Sequence, residues 1–400
     1  MQRGRFESMR RSRRGLRVSF VALSCAVALV CGATFAIVPS ADASPAWSVV
    51  SNPVAVGATY AALGWVSCPS SASCFAVGTS GGGATAKTLV EHWDGSRWSI
   101  MPSPNPGGVS TAALGGVSCH RTTSCVAVGD AISGTTEQTL VEQWNGTTWS
   151  IVPSPDPAGA TISQLLAVAC PETTSCFAVG QYGPDSSFKP FVEHWNGVSW
   201  SIASIPSLAG ARTARLSGVS CPSTTSCFAV GDNGAGEGKS LVEHWDGTRW
   251  SIMTSASGAK ETDLSGVSCP STTSCNAVGV VATIQDTVPF AEHWNGSHWA
   301  IVPSADPSDS RGVELNGVSC PSVASCFAVG SYYPGPKFAR LKTLIEDWNG
   351  VSWSRMSSPN ATASSTSSYL AGVSCSTTTS CFAVGNIDPE VPHALVERYA

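Results

Sequence analysis

Charge is what this 400-residue chain has least of. Lys, Arg, Asp and Glu make up 12% of it, about half the share of an ordinary soluble domain. No segment carries an apolar pattern of 3.6-residue period, which predicts that helices are nearly absent. No C-x-x-C occurs, which argues against thiol redox catalysis. No H-E-x-x-H and no P-loop occurs, so no catalytic metal or phosphate cradle is announced by motif. Hydrophobic residues are nonetheless 42% of the chain, enough to build a core and to exclude a disordered protein.

Basic residues are scarcer still once the N-terminus is set aside. Arg10, Arg11, Arg13, Arg14 and Arg17 precede an apolar run from Val18 to Val38, followed by Ala41-Asp42-Ala43. That order of charge, apolar stretch and A-x-A site reads as an export signal covering 1–43. A retained membrane anchor is the alternative, because the run is long enough to span a bilayer. "SRRGLR" loosely matches a twin-arginine signal. Without this segment, 22 basic and 27 acidic residues fall to 15 and 25, a net charge near −10. Such a chain lacks the basic face that nucleic acid or anionic lipid requires.

What is abundant is repetition. A unit such as "LSGVSCPSTTSCFAVG", a variable stretch and "LVEHWDGTRWSI" recurs seven times. Its first Cys falls at 68, 119, 170, 221, 269, 320 and 375. Units of about 51 residues therefore fill 44–400 and leave no room for a second domain. Each unit offers four short strand candidates: L-x-G-V-S-C (a), C-F-A-V-G (b), L-V-E-H-W (c) and W-S-I-V (d). The expectation is an all-β, seven-bladed β-propeller with four antiparallel strands per blade. A β-solenoid ranks below it, since shorter coils would be needed. The last unit stops at "LVERYA", within strand c. "AWSVV" near the start supplies the missing strand d. Trp47 stands 21 residues before Cys68, as Trp98 stands before Cys119. The ring is thus predicted to close by pairing Ala46 to Val50 with Leu395 to Tyr399, leaving no open sheet edge at the joint.

Between the two tryptophans of six units lies Asn-Gly or Asp-Gly, a tight-hairpin signal whose residues tolerate positive φ. Such a turn puts both indoles on one sheet face, as a cross-strand pair packed against a neighbouring blade. Sugar stacking is the competing use of these rings.

Two of the sixteen cysteines, Cys25 and Cys31, lie in the export segment. The rest form seven C-x5-C pairs: Cys68-Cys74, Cys119-Cys125, Cys170-Cys176, Cys221-Cys227, Cys269-Cys275, Cys320-Cys326 and Cys375-Cys381. Each brackets a short Ser/Thr/Pro loop between strands a and b, within disulfide reach in an oxidising compartment. Metal binding is the alternative; zinc favours closer cysteines, and no His recurs beside the pairs.

The unit resembles a kelch repeat. "CFAVG" matches the glycine-ended strand, "VEHWNGVSWSI" (Val192 to Ile202) the spaced aromatics, and "VPSP" (Val152 to Pro155) the ending. It departs in having one glycine where kelch has two. The N/D-G-x-x-W turn also resembles the Asp-box hairpin of sialidase-type propellers, with one residue fewer before the glycine. Cysteine-bracketed, tryptophan-rich units are similar to secreted bacterial repeat proteins of unassigned function. Each resemblance implies a propeller; none carries an activity.

Functional candidates follow from asymmetry. Strand c carries Glu91, Glu142, Glu193, Glu243, Glu292, Glu346 and Glu397. A sevenfold ring at one rank does not make a catalytic constellation, so these are expected to accept structural hydrogen bonds from an indole or a loop. Calcium binding or acid–base work is the alternative. His92, His194, His244 and His293 follow, replaced elsewhere by Gln143, Asp347 and Arg398, which points to rim positions. The a–b and c–d turns are uniform and share one face. The b–c and d–a loops are variable and share the other, which is the expected binding face. Three departures mark it. Trp65 replaces a small residue in strand a. Unit three carries Tyr182, Phe188 and Lys189. The longer unit-six loop carries Tyr332, Tyr333, Lys337, Phe338 and Arg340. Aromatics beside polar groups suit recognition, though plain loop drift gives the same pattern. The reading is a secreted, monomeric, cofactor-free and metal-free binding or scaffold module for a cell-surface glycan or protein. The competing reading is an extracellular carbohydrate-active hydrolase or lyase.

Overall fold

The computed structural model describes residues 44–400 apart from 83–84, 185–186, 209–210, 212, 235–238, 258–260, 284–285, 308–309, 336–339, 361–366 and 388–392. Within them lie 28 strands and no helix. They form seven four-stranded antiparallel blades. Blade one runs Tyr60–Ser70 (a), Ser73–Gly82 (b), Thr85–Trp93 (c) and Trp98–Met101 (d), and the others repeat it. The a strands abut one another in sequence around the axis, blade seven meeting blade one, so strand a is innermost. In blade seven, Ser368–Thr377, Ser380–Ile387 and His393–Tyr399 are joined by the N-terminal Trp47–Val49 as strand d. Trp47 pairs with Tyr399, Ser48 with Arg398 and Val49 with Glu397. The expected closure is the observed one.

The core lies between blades rather than inside them. Trp93 and Trp98 face each other across strands c and d with centroids 6.0 Å apart. Both rest on Phe382 of blade seven, each at 5.1 Å. Phe75, Phe177, Phe228 and Phe327 receive the indoles or Tyr399 of the next blade in the same way. The tryptophan pairs are therefore buried packing, which removes them from sugar stacking. Edge-to-face rings of this kind add to the area they bury.

The c–d turn differs in detail from the expectation. Glycine alone takes positive φ there, 96° at Gly95 and 90° at Gly296. The preceding Asp or Asn keeps an ordinary φ and closes the turn with its side chain. Asp94 Oδ1 accepts the backbone N–H of Ser96 at 2.8 Å and of Arg97 at 2.9 Å. This is an Asx turn, the local bond at which Asp and Asn are best. The turn glycine packs under the a–b hairpin of its own blade, Gly95 against Ala72 and Gly146 against Thr123. The first indole donates to that hairpin, as Trp93 does to Ser71 O at 3.3 Å. Hence a–b and c–d turns share one end of the ring, and the variable loops hold the other. All seven cysteine pairs are disulfides with Cα atoms 4.0–4.1 Å apart, which disposes of the metal alternative for them.

Trp65 has no counterpart in the other blades. A Cβ on Gly372 would meet Trp65 Cε3 at 2.9 Å, and one on Gly317 would meet its Cη2 at 3.5 Å. The indole leaves blade one and lies against strands a of blades seven and six. Glycine at those positions makes the room.

Candidate functional site

The seven glutamates are wholly buried. Six of them have partners from the neighbouring blade, at the fifth residue after its second tryptophan, where Glu243 instead meets Ile205. Ser103 Oγ donates to Glu142 at 2.9 Å, Ser154 to Glu193 at 2.8 Å and Ser304 to Glu346 at 2.7 Å. Ser255 serves Glu292, Ser358 serves Glu397, and Asn52 serves Glu91. The glutamates are therefore rivets between blades, spread round the ring with no convergence on a reacting atom. Burial pushes Glu91, Glu142, Glu243 and Glu397 up to about 7, and Glu193 to about 8. The histidines that follow are half-buried rather than at the rim. His92, His194 and His244 stack on the cross-strand Phe of their own blade at 4.5 Å, and burial lowers the pKa of each.

The asymmetry lies at the channel mouth on the variable end. One position in strand a, just before an invariant Leu, reads Ala62, Ala113, Gln164, Arg215, Asp263, Glu314 and Tyr369. Its cross-strand partners in strand b are Thr79, Asp130, Gln181, Asp232, Val280, Ser331 and Asn386. Because strand a is innermost and enters from the d–a loop, this rank rings the mouth. Its side chains join across blades. Gln181 donates to Gln164 at 2.5 Å, and Gln164 donates to Glu137 at 2.6 Å. Arg215 pairs with Asp232 at 2.8 Å and with Asp263 of blade five. Asn386 donates to the Tyr369 hydroxyl at 2.7 Å. Burial, then the nearby Glu137, pushes Asp130 up to about 7. Burial, then Asp263, raises Glu314. The arc thus gathers several carboxyl groups near Arg215, which is clamped by two of them, Asp232 and Asp263.

Loop variability does not mark this rank, which lies within a strand. The signal was present: a position flanked by an invariant Leu that differs in nearly every copy. Beside the arc, a cleft of about 350 Å³ opens between blades three and four, lined by Tyr182, Phe188, Lys189, Ile205 and Leu208 among others. All three candidates from unit three are therefore brought together, with the d–a loop supplying the facing apolar wall. Tyr182 meets Phe191 edge-on at 5.8 Å.

The other candidates do not join them. Trp65 lies inside the channel. Tyr332 is a core residue, 7% exposed, within the blade-six cluster that holds Leu344 and Trp348. Arg355 stacks on its ring at 4.7 Å and donates to its hydroxyl. Strand b of blade six runs on to Pro334, so alternation turns Tyr332 inward, where a loop would have exposed it. Tyr333 is half-buried and Arg340 is exposed. Lys337 and Phe338 lie outside the described residues. Among the described residues, no group of three His, Cys, Asp or Glu side chains is placed to hold a metal.

A ring of this kind, with an asymmetric mouth, defines a β-propeller of seven blades. Solved structures agree with that. The chain is similar to YCF48 bound to D1 peptide, at 13% identity and a TM-score of 0.53, covering 90% of this chain and 97% of that one. It is similar to the GH74 xyloglucanase from Xanthomonas campestris at 12% identity and a TM-score of 0.54, covering 88% of this chain. It spans 55% of that enzyme's chain. At such identities the likeness shows the fold alone. No protein-family model and no curated protein sequence matches the chain.

Proposed function

We propose that the protein is an exported, disulfide-stapled binding module that takes an extended peptide segment on its variable face. The observation carrying this is the cleft of Tyr182, Phe188, Lys189, Ile205 and Leu208. It joins aromatic and aliphatic walls to one polar end, the composition of a recognition pocket. The mouth beside it is mainly acidic: Asp130, Glu137, Asp232, Asp263 and Glu314 outnumber Arg215, which is paired with two of them. That favours a neutral or basic ligand over a strongly acidic one. The propeller that resembles this chain over 97% of its length is described with a bound peptide, which supports a protein ligand over a glycan. Seven disulfides fit an oxidising location, and the segment 1–43 serves as the signal that takes the chain there. The test is a displayed peptide library and a glycan array, both probed with protein recovered from an exporting host. Tyr182→Ala and Phe188→Ala are expected to weaken a selected peptide at least tenfold. Binding that survives both substitutions, or an array-positive glycan with no peptide, overturns the reading.

A second reading rests on Arg215, Asp263 and Glu314, which meet at the mouth from three different blades. An extracellular carbohydrate-active hydrolase would need such a group, with the carboxyl group of Glu314 raised as an acid. Its test is release of reducing ends from plant and bacterial polysaccharides, abolished by Glu314→Gln and Asp263→Asn.

A further inference from the structure

Two polar latches tie neighbouring blades, and their distribution around the ring is uneven. The first lies near the axis: the Cys N–H of one strand a donates to the Ser Oγ of the strand a before it. Cys68 bonds Ser374 at 2.9 Å, Cys119 bonds Ser67 at 3.0 Å and Cys170 bonds Ser118 at 3.0 Å. Cys269, Cys320 and Cys375 repeat the bond to Ser220, Ser268 and Ser319. The second lies further out, where the Ser or Asn of one d–a loop donates to the buried Glu of the next blade. Six of the seven seams carry both. The seam between blades three and four carries neither. Ala169 stands where the others have Ser, so Cys221 N–H has no hydroxyl to meet. Ile205 stands where the others have Ser or Asn, and both carboxyl oxygens of Glu243 are buried without a hydrogen-bond partner. Phe177 still receives Trp245 and Trp250 across this seam, at 5.3 and 5.4 Å, and Ala214 N–H still donates to Phe188 O at 2.9 Å. Among the described residues, apolar packing and the Ala214–Phe188 backbone bond close the seam, without its two polar latches.

We propose that the seam between blades three and four is a built-in joint at which the ring opens locally, and that its opening widens the cleft above it to admit the ligand. Both substitutions act in one direction and fall at one seam, although they sit about 36 residues apart in the chain. Ile205 does two things at once: it withholds the donor from Glu243 and lines the cleft. An unpaired buried carboxyl makes the closed state less favourable than at any other seam. Local opening concentrates where buried polar groups lack partners and where function needs movement. The joint itself stands apart from any ligand; its use in binding rests on the peptide-binding reading.

Native-state hydrogen exchange of the whole oxidised protein, without ligand, tests the joint. A lost hydrogen bond shifts an opening equilibrium roughly fivefold, so two shift it about 25-fold. The hydrogen-bonded strand-a amides of blades three and four at this seam are expected to exchange about 25-fold faster than those at the other six seams. Ala169→Ser with Ile205→Ser should bring them into line. Ser118→Ala with Ser154→Ile should create a second fast seam between blades two and three. Equal exchange at all seven seams, or a fast seam that persists after the repair, overturns the joint. Because Ile205 lines the cleft, the binding arm uses Ala169→Ser alone, which leaves that lining untouched. Should this protein exchange more slowly at the seam yet bind a selected peptide at the same rate, the joint stands and its role in admission falls; slower binding in step with the slower exchange supports both. Absence of any peptide ligand bears on the binding reading and leaves the exchange result to decide the joint.

Discussion

Removing residues 45–52 takes out strand d of blade seven and nothing else from the ring. Trp47, 7% exposed, leaves its place between Phe327 at 5.7 Å and Tyr399 at 5.5 Å. Deleting a buried indole costs ~3–5 kcal/mol. The backbone bonds from Ala46 N to Ala400 O (3.3 Å) and Val50 N to Val396 O (2.9 Å) go too, as does the Asn52 bond to Glu91. At about 1 kcal/mol each, these bring the loss to ~6–8 kcal/mol. That is about half of what a folded domain has to spare. At about 2 °C per kcal/mol for a large domain, thermal unfolding followed by circular dichroism should fall by more than 10 °C. The bared edge of His393–Tyr399 should also promote self-association, visible by size-exclusion chromatography with light scattering. The comparator is Trp149→Ala, which removes the same ring from an uninterrupted blade and costs only the ~3–5 kcal/mol. A deletion variant that melts within 2 °C or so of the parent would show that the N-terminal strand does not close the ring, and the reasoning fails.

Ser154→Ala strands the Glu193 carboxyl and should cost about 1–3 kcal/mol in urea unfolding, while Ser154→Asn, which copies Asn52, should cost less than half of that; equal losses would deny the rivet. The buried glutamates give a pH dependence of definite sign. Their folded pKa values, about 7 for Glu91, Glu142, Glu243 and Glu397, lie above the free value of 4.5. The folded state therefore holds more protons, and its stability is full below pH 4.5 and declines as pH climbs through 7. The protein should melt higher at pH 5 than at pH 8, and Glu243→Gln should flatten that slope by up to ~1.4 kcal/mol per pH unit; a melting temperature that rises with pH contradicts the assignment. Gly372→Ala places a methyl group 2.9 Å from Trp65 Cε3 and should cost ~1–3 kcal/mol by overpacking. Trp65→Gly in the same chain should return part of that loss, and strictly additive effects would mean the indole is not in the channel.

What the sequence by itself determined is everything that repeats. Periodic copies must fold alike, so seven C-x5-C pairs, six Trp–Trp pairs and an unfinished seventh unit were enough for blade number, disulfides and closure. Local chemistry was legible in kind: Asn-Gly and Asp-Gly marked the turn, though the side-chain cap behind it was not anticipated. Only the tertiary structure decided which residues face one another across blades. Ser154 and Glu193 are 39 residues apart, and no local pattern joins them. Tyr332 read as exposed because its loop is long, but the strand continues past it and alternation buries it. Trp65 was legible as a departure in the innermost strand, but only the ring shows that its indole meets the glycines of blades seven and six. The mouth rank and the unlatched seam belong to the same class. Both are built from single positions that differ between copies, and a difference acquires meaning only once the ring brings neighbouring copies into contact.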